Sequence, residues 1–334
     1  MIDIKRKRNV AFVADNWLYW VRSFFFTEHV KGKPWVLLGK KHREFNNYAE
    51  KLRYECLSVV FSSTQNRRLK RARVSQLNYW WNHLNDIILA SPDTISAHIQ
   101  KWKKKKVGQV VLLNLIEEIL VWYYDKISEK YGYLLVDQLN IKTCPYCNRQ
   151  FIYTFKGRAN ERPELDHFYP KNKYPLFCIS FYNLIPSCHS CNHIKLEEEI
   201  GVNPYKQAFK RPFVITDRVG NTLSPAEIYK LKKEDIRIRF EGTNKEEELN
   251  SNVLGLEDVY NKHTDYVKEL IDKSMAYDTY ARKTLVESFQ GAGWHPQQVY
   301  DFVWGCHLMN AEYEDRPLSK LTKDILDLLD IRRG

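Results

Sequence analysis

The sequence predicts an α+β fold: a mostly helical chain around a small stranded centre stapled by four cysteines. Three observations carry this. From Val10 to about Asn140, apolar and aromatic residues recur at three- and four-residue spacing, as in Tyr79, Trp80, His83, Leu84, Ile87 and Ile88, the period of a helix with one buried face. At Thr143 the texture changes, and residues 144–200 hold two Cys-x-x-Cys pairs among short apolar runs bounded by turn residues. Helical spacing returns after about Gly255.

These shifts divide the chain softly into residues 1–140, a basic helical domain suited to docking nucleic acid or a partner; residues 141–205, the chemical centre; and residues 206–334, a mainly helical region with a small strand element. In the first stretch, Trp17, Trp20, Phe24, Trp80 and Trp81 at helical spacing read as core rather than as a partner surface. Gly32 with Pro34, and Ser91 with Pro92, punctuate the helices. The run Lys101 to Lys106, with Trp102 inside it, reads as a charged helix end or loop. Val107 to Tyr124 is the most apolar segment, but Glu117 and Glu118 in its middle make it a buried amphipathic helix rather than a membrane span. In the centre, a hairpin is expected from Phe151 to Phe155, turning at Lys156 and Gly157 and returning to Leu165, followed by a short polar helix from about Ser190. Beyond Gly201 come a strand pair at Phe213 to Thr216 and Ile236 to Phe240, amphipathic helices from about Gly255 to Phe302, and a last helix near Leu318.

Composition narrows the function classes. With 334 residues, 44% of them hydrophobic, the chain can bury a substantial core, which excludes a disordered protein. The basic N-terminal residues Lys5 to Arg8 are not followed by a signal-like apolar segment, so secretion is not expected and the cytoplasm is the default location, with no membrane partner. The net charge of +11 is uneven. Residues 1–140 hold 24 Lys+Arg against 13 Asp+Glu, a net of +11, and the remainder holds 28 against 28, a net of zero. The N-terminal part is therefore the expected docking surface for a polyanion, with Arg67, Arg68, Lys70, Arg71 and Arg73 as one patch and Lys101 to Lys106 as another.

Cys144-Pro-Tyr-Cys147 and Cys188-His-Ser-Cys191 lie 40 residues apart within a chain of seven cysteines. Each spacing lets two thiolates from one tight turn reach the same tetrahedral ion, so a structural Zn2+ held by Cys144, Cys147, Cys188 and Cys191 is the favoured reading. His189 can replace one sulfur and Cys178 is a spare thiol, whereas Cys56, Cys178 and Cys306 lack partner spacing and read as core.

Between and after the pairs stand Glu164-Leu-Asp166-His167-Phe-Tyr-Pro170, Tyr182-Asn183-Leu-Ile-Pro-Ser-Cys188 and Cys191-Asn192-His193-Ile-Lys195. A D-H pair ending one strand, an N-L pair beginning the next stretch and C-x-x-C-N-x-x-K opening a helix resemble the HNH, or ββα-metal, endonuclease family over about 55 residues. Asn192 stands where that family often has His, so the chain resembles its H-N-N variant. The resemblance implies a central ββα-metal motif stapled by the four-cysteine zinc. It assigns Asp166 and Asn192 to a catalytic divalent metal, His167 to general base, Asn183 to holding the loop and His167 in place, and Lys195 to orienting a phosphate or the helix start. His193 is an alternative metal ligand beside Asn192, and a helix cap is a rival role for Asn192 itself.

The chemistry asks for the same groups. In-line attack of water on a phosphodiester needs a base titrating near neutrality, which imidazole supplies, and a cation at the leaving oxygen. Mg2+ or Mn2+ is the expected ion, with nickel or a second zinc as alternatives. The reading is thus a metal-dependent endonuclease, with double-stranded DNA as expected substrate and RNA left open. The competing readings are a non-catalytic zinc module that binds nucleic acid, and a nuclease silent without a partner. More weakly, the Phe-Tyr-Pro-Lys and Ser-Phe-Tyr-Asn-Leu-Ile-Pro wording is similar to HNH proteins of bacterial anti-phage systems of the Septu type, which implies antiviral defence and an ATPase partner.

Overall fold

A computed structural model describes residues 2–4, 9–27, 45–104, 108–158, 160–210, 213–308 and 310–331. The expected punctuation at Gly32 and Pro34 and the basic residues Lys5 to Arg8 lie outside the described residues.

The N-terminal part is helical: α1 (Val10–Phe26), α2 (Tyr48–Ser62), α3 (Arg67–Asn82), α4 (Leu84–Ile88), α5 (Pro92–Lys104) and α6 (Gly108–Leu139). On α1 the buried residues Val10, Val13, Ala14, Trp17, Val21, Phe24 and Phe25 fall at helical spacing and form one stripe. That stripe packs on α6, a 32-residue helix spanning about 48 Å at the usual rise of about 1.5 Å per residue. Asn47 and Asn66 cap α2 and α3 by accepting from backbone N–H groups of their first turns, and a proline opens α5. The Val107 to Tyr124 segment falls almost wholly within α6, where Leu112, Leu113, Ile116, Ile119, Tyr123 and Tyr124 are buried, Glu117 is half-buried and Glu118 exposed. Among the described residues, no helix is long and apolar enough to cross a membrane.

The centre holds β1 (Phe155–Lys156), β2 (Asn160–Glu161), β3 (Glu164–His167), β4 (Leu184–Ser187) and α7 (His189–Lys195). The hairpin expected from Phe151 to Leu165 is shorter than the sequence suggests. Only Phe155–Lys156 and Asn160–Glu161 pair, with all four residues exposed, while Phe151 bridges back to Thr143. The strand that matters pairs elsewhere. β3 runs antiparallel to β4 with Glu164 opposite Ser187 and His167 opposite Leu184, because Leu184 and Ile185 are fully buried and give β3 an apolar partner that the exposed β1–β2 ribbon cannot.

The C-terminal part contains β5 (Phe213–Thr216), α8 (Pro225–Ile228), β6 (Arg237–Phe240), α9 (Lys245–Val253), α10 (Leu256–Tyr260), α11 (Thr264–Ala276), α12 (Thr279–Gly291), α13 (Pro296–Trp304) and α14 (Ser319–Leu328). β5 and β6 pair antiparallel, the strand pair expected from the sequence. One hydrophobic core runs through all three stretches, from Trp17 and Tyr123 through Phe181 and Leu184 to Tyr260 and Ile325. Buried hydrogen bonds tie the centre to both flanks: the Trp17 indole N–H donates to the Ile179 carbonyl at 2.8 Å, and the Ser180 hydroxyl donates to the Ile87 carbonyl at 2.6 Å. On the other side, Asn148 donates to the Tyr313 carbonyl at 2.8 Å and accepts from the Lys320 N–H at 3.0 Å. Gly201, just past α7, admits α9 closely, since a Cβ there would lie 2.6 Å from that of Glu246.

On the basic N-terminal surface, Arg67, Arg68 and Arg71 are exposed and Lys70 half-buried along one helix. Arg73 leaves this patch: its side chain turns inward, is buried, and donates to the Ser63 hydroxyl at 2.6 Å. Of the run Lys101 to Lys106, only Lys101 has a described side chain, which is exposed, and Lys105 and Lys106 lie outside the described residues.

Candidate metal centre and the buried histidine

Cys144 and Cys147 flank a tight turn that closes through Asn148, whose backbone adopts φ +49° and whose N–H donates to the Cys144 carbonyl at 2.7 Å. An asparagine tolerates this left-handed conformation better than most residues. Cys188 follows β4 as the N-cap residue of α7, and Cys191 lies in the first turn of that helix. All four sulfurs are buried and lie within 4.8 Å of one another, and Cys147 and Cys188 are 4.0 Å apart. Four thiolates around Zn2+ at the usual Zn–S length stand about 3.8 Å apart, so the cluster fits a structural zinc. Hydrogen bonding within the cluster, from Cys144 first, draws the Cys147 and Cys188 thiols below their ordinary pKa. The Arg149 N–H also points at the Cys147 sulfur from 3.4 Å, the outer contact that steadies a metal-bound thiolate. Cys56, Cys178 and Cys306 are buried and stand apart from this cluster.

Strand alternation puts Glu164 and Asp166 on one face of β3, and α7 packs against β3. Two separate clusters result. In the inner one, the Lys195 ammonium donates to Asp166 Oδ1 at 3.2 Å and to the His167 carbonyl at 2.7 Å, while the Tyr146 hydroxyl donates to Asp166 Oδ2 at 2.5 Å. Lys195 and Tyr146 are fully buried and Asp166 nearly so. Burial pushes the Asp166 carboxyl up and the Lys195 ammonium down, and each partner's charge holds the other's shift back. Lys195, expected to orient a phosphate or the helix start, thus faces inward and clamps the strand.

In the outer cluster, Glu164 accepts from Asn192 Nδ2 at 2.5 Å and lies 2.8 Å from His189 Nδ1. Burial raises the Glu164 carboxyl, but the hydrogen bonds from His189 and Asn192 outweigh it and leave its pKa lowered. His193 is exposed, and its ring stacks on that of His189 at 5.7 Å. Asp166 and Asn192, expected to share one divalent ion, are not brought together. No hydrogen bond joins them among the described residues, both Asp166 oxygens are engaged by Lys195 or Tyr146, and the Asn192 amide faces Glu164. This placement does not fit a metal bound jointly by that pair.

His167 ends β3 on the opposite face. Its ring is 93% buried, packs edge-on against Tyr124 at 4.4 Å and places Nε2 3.0 Å from the Cys178 carbonyl. A carbonyl only accepts, so Nε2 carries the hydrogen and Nδ1 keeps its lone pair. Burial lowers its pKa to about 3, against the opposing pull of the Cys178 carbonyl, so the ring is neutral at physiological pH. Lys171 stands close by, its ammonium 5.2 Å above the Tyr124 ring and 38% exposed. Asn183, fully buried, holds the loop that follows: Oδ1 accepts from the Tyr169 N–H at 2.8 Å, and Nδ2 donates to the carbonyls of Tyr169 at 3.1 Å and Phe177 at 3.0 Å.

Reading the sequence missed Glu164, Tyr146 and Lys171, and it offered His189 only as a substitute for one cysteine sulfur, whereas its exposed side chain stands against Glu164 and outside the four-cysteine cluster. Glu164 was detectable as the residue two places before Asp166, hence on the same strand face, and His189 by its place between Cys188 and Cys191 near the same helix face as Asn192. Tyr146 and Lys171 carry no pattern of their own, since their roles depend on where the zinc turn and the loop fold back. Compared with known proteins, the chain matches no protein-family model, no curated protein and no solved structure.

Proposed function

We propose that the chain is an HNH-type endonuclease that hydrolyses nucleic-acid phosphodiester bonds, with His167 as general base. The observation that carries this reading is the placement of His167: an imidazole at the end of β3, fixed through Nε2 on the Cys178 carbonyl so that Nδ1 is its proton acceptor. Burial holds its pKa at about 3 in the closed site, and water and phosphate entering the site must raise it toward neutrality for the ring to act as base. In the proposed step, Nδ1 takes a proton from water as the water oxygen bonds to phosphorus, and the departing sugar oxygen keeps the electron pair of the broken P–O bond and takes a proton from solvent water. Asn183 keeps the adjoining loop, and thus the Cys178 carbonyl, in register with β3. Lys171, paired with Asp125 at 3.3 Å, stands beside the base, and a phosphate would compete with Asp125 for its charge. The zinc-held turn contributes rigidity rather than chemistry. Because Asp166 is closed by Lys195 and Tyr146, no step is routed through a metal at that carboxylate.

The basic stripe of Arg67, Arg68 and Arg71 on α3 supports nucleic acid as the ligand. The Septu-type resemblance extends the proposal to anti-phage defence with an ATPase partner. The sealed Asp166 cluster favours one second reading, a zinc-held nucleic-acid-binding module that does not cut. Labelled duplex DNA, single-stranded DNA and RNA, each incubated with wild type and His167→Ala under Mn2+, separate the two. Nuclease action requires cleavage of at least one substrate that drops about 100-fold or more in the variant, within the range a positioned base contributes. Salt-sensitive binding without cleavage in either protein overturns the nuclease reading.

A further inference from the structure

We infer that Glu164, His189 and Asn192 form an exchangeable divalent-cation site on the outer face of β3 and α7, and that the Asp166–Lys195 pair is a clamp rather than a ligand. The inner carboxylate is neutralised and shielded, whereas the Glu164 side chain is 39% exposed and reachable from solvent. Its oxygens stand 2.5 Å and 2.8 Å from the donor atoms of Asn192 and His189. Neighbouring ligand atoms of an octahedral ion with bonds of about 2.1 Å stand about 3 Å apart, so the cluster already has nearly that spacing. Turning the Asn192 amide about its terminal bond exchanges Nδ2 for Oδ1, and the His189 tautomer with its hydrogen on Nε2 presents the Nδ1 lone pair to an ion. An ion then takes the place of the hydrogen-bonding protons with little movement of the backbone.

A separate observation lies on the same sheet face. Ser187 lies opposite Glu164 in the strand register, so its side chain shares that sheet face. It is fully buried, and its hydroxyl has no hydrogen-bond partner among the described residues. Cys188 and Cys191 flank His189, and four thiolates holding Zn2+ would carry net negative charge that favours a second cation. One imidazole nitrogen among oxygen donors selects Mn2+, Co2+, Ni2+ or Zn2+ over Mg2+ and Ca2+. Exposure on one side leaves positions open for water and a phosphate oxygen.

As the ion of the nuclease this site rests on the hydrolase reading, but its occupancy does not. Full-length, zinc-loaded protein is titrated with Mn2+ and followed by electron paramagnetic resonance, with zinc content and far-UV circular dichroism as folding controls. Wild type is expected to bind one Mn2+ and to show nitrogen modulation from an imidazole ligand. Glu164→Gln weakens binding at least tenfold, His189→Ala removes the nitrogen signal, and Asp166→Asn stays within about threefold of wild type by the central tendencies for single ligands. Both outer-site variants change partly exposed side chains, so they test the site even where Asp166→Asn fails to fold. Absence of Mn2+ binding by wild type, wild-type affinity in Glu164→Gln, or loss confined to Asp166→Asn overturns the assignment. Mn2+ bound at Glu164 without cleavage of any substrate supports the site and counts against the hydrolase alone. Cleavage that persists undiminished in Glu164→Gln supports the hydrolase and overturns this site as its ion.

Discussion

Replacing Lys195 by Met tests the clamp at the centre of the molecule. The ammonium is fully buried and donates to Asp166 Oδ1 at 3.2 Å and to the His167 carbonyl at 2.7 Å. Methionine fills a similar volume but leaves the Asp166 carboxylate in a dry site without its counter-charge, held only by neutral donors, the Tyr146 hydroxyl and the His167 backbone, and leaves the His167 carbonyl without this donor. Removing one partner of a buried ion pair costs about 3–5 kcal/mol, because the surviving charge is stranded. The cost depends on pH. A carboxyl raised in the folded state binds its proton more tightly folded than unfolded, so stability is lost as pH rises above the unfolded carboxylate range. The deficit of the variant is therefore greatest at neutral pH and shrinks toward pH 4. Urea unfolding at fixed zinc concentration, at pH 7 and pH 4.5, measures both quantities, and Asp166→Asn combined with Lys195→Met should recover much of the loss. A deficit below about 1 kcal/mol, or one that does not change with pH, refutes the reasoning, since no stranded charge is then present.

Cys191→Ser should reduce bound zinc from one per chain to none and abolish the cooperative unfolding transition, measured by metal analysis and thermal denaturation. Asn183→Ala removes one buried and two part-buried hydrogen bonds, a loss of about 2–4 kcal/mol, and should abolish cleavage by releasing the loop; urea unfolding and plasmid nicking report the two effects. His167, whose folded pKa is lowered to about 3, binds more protons unfolded than folded below its ordinary value of 6.5. It should therefore cost the wild type about 2 kcal/mol between pH 7 and pH 5 by proton linkage. Comparison of wild type with His167→Gln isolates that share, and an identical pH slope in both removes it. Arg67→Glu, Arg68→Glu and Arg71→Glu together should weaken DNA binding and flatten its salt dependence, read from filter binding at several ionic strengths.

Patterns that live on one element were legible in the sequence. The stripe of α1, the strand pair at Phe213 and Ile236 and the two cysteine turns each follow from local spacing. Relations between elements were not. Nothing near Arg73 in the chain marks it as the basic residue that turns inward toward Ser63. The partner of β3 was misplaced because Phe151 to Phe155 is as apolar as Leu184 and Ile185, and only the buried environment of β4 decides between them. Asp166 and Asn192 sit at positions suggesting a shared ion, yet a three-residue step along α7 carries Lys195, not Asn192, to the inner carboxylate. That step also aligns Asn192 with Glu164, a pairing set by how α7 crosses β3 and by no residue type alone.

The most direct test of the central claim is cleavage of supercoiled plasmid by the purified, zinc-loaded chain with Mn2+, comparing wild type with His167→Ala at equal zinc content. Nicking or linearisation by wild type that is lost in the variant is the result this account predicts. Equal cleavage by both proteins, or none by either, contradicts it.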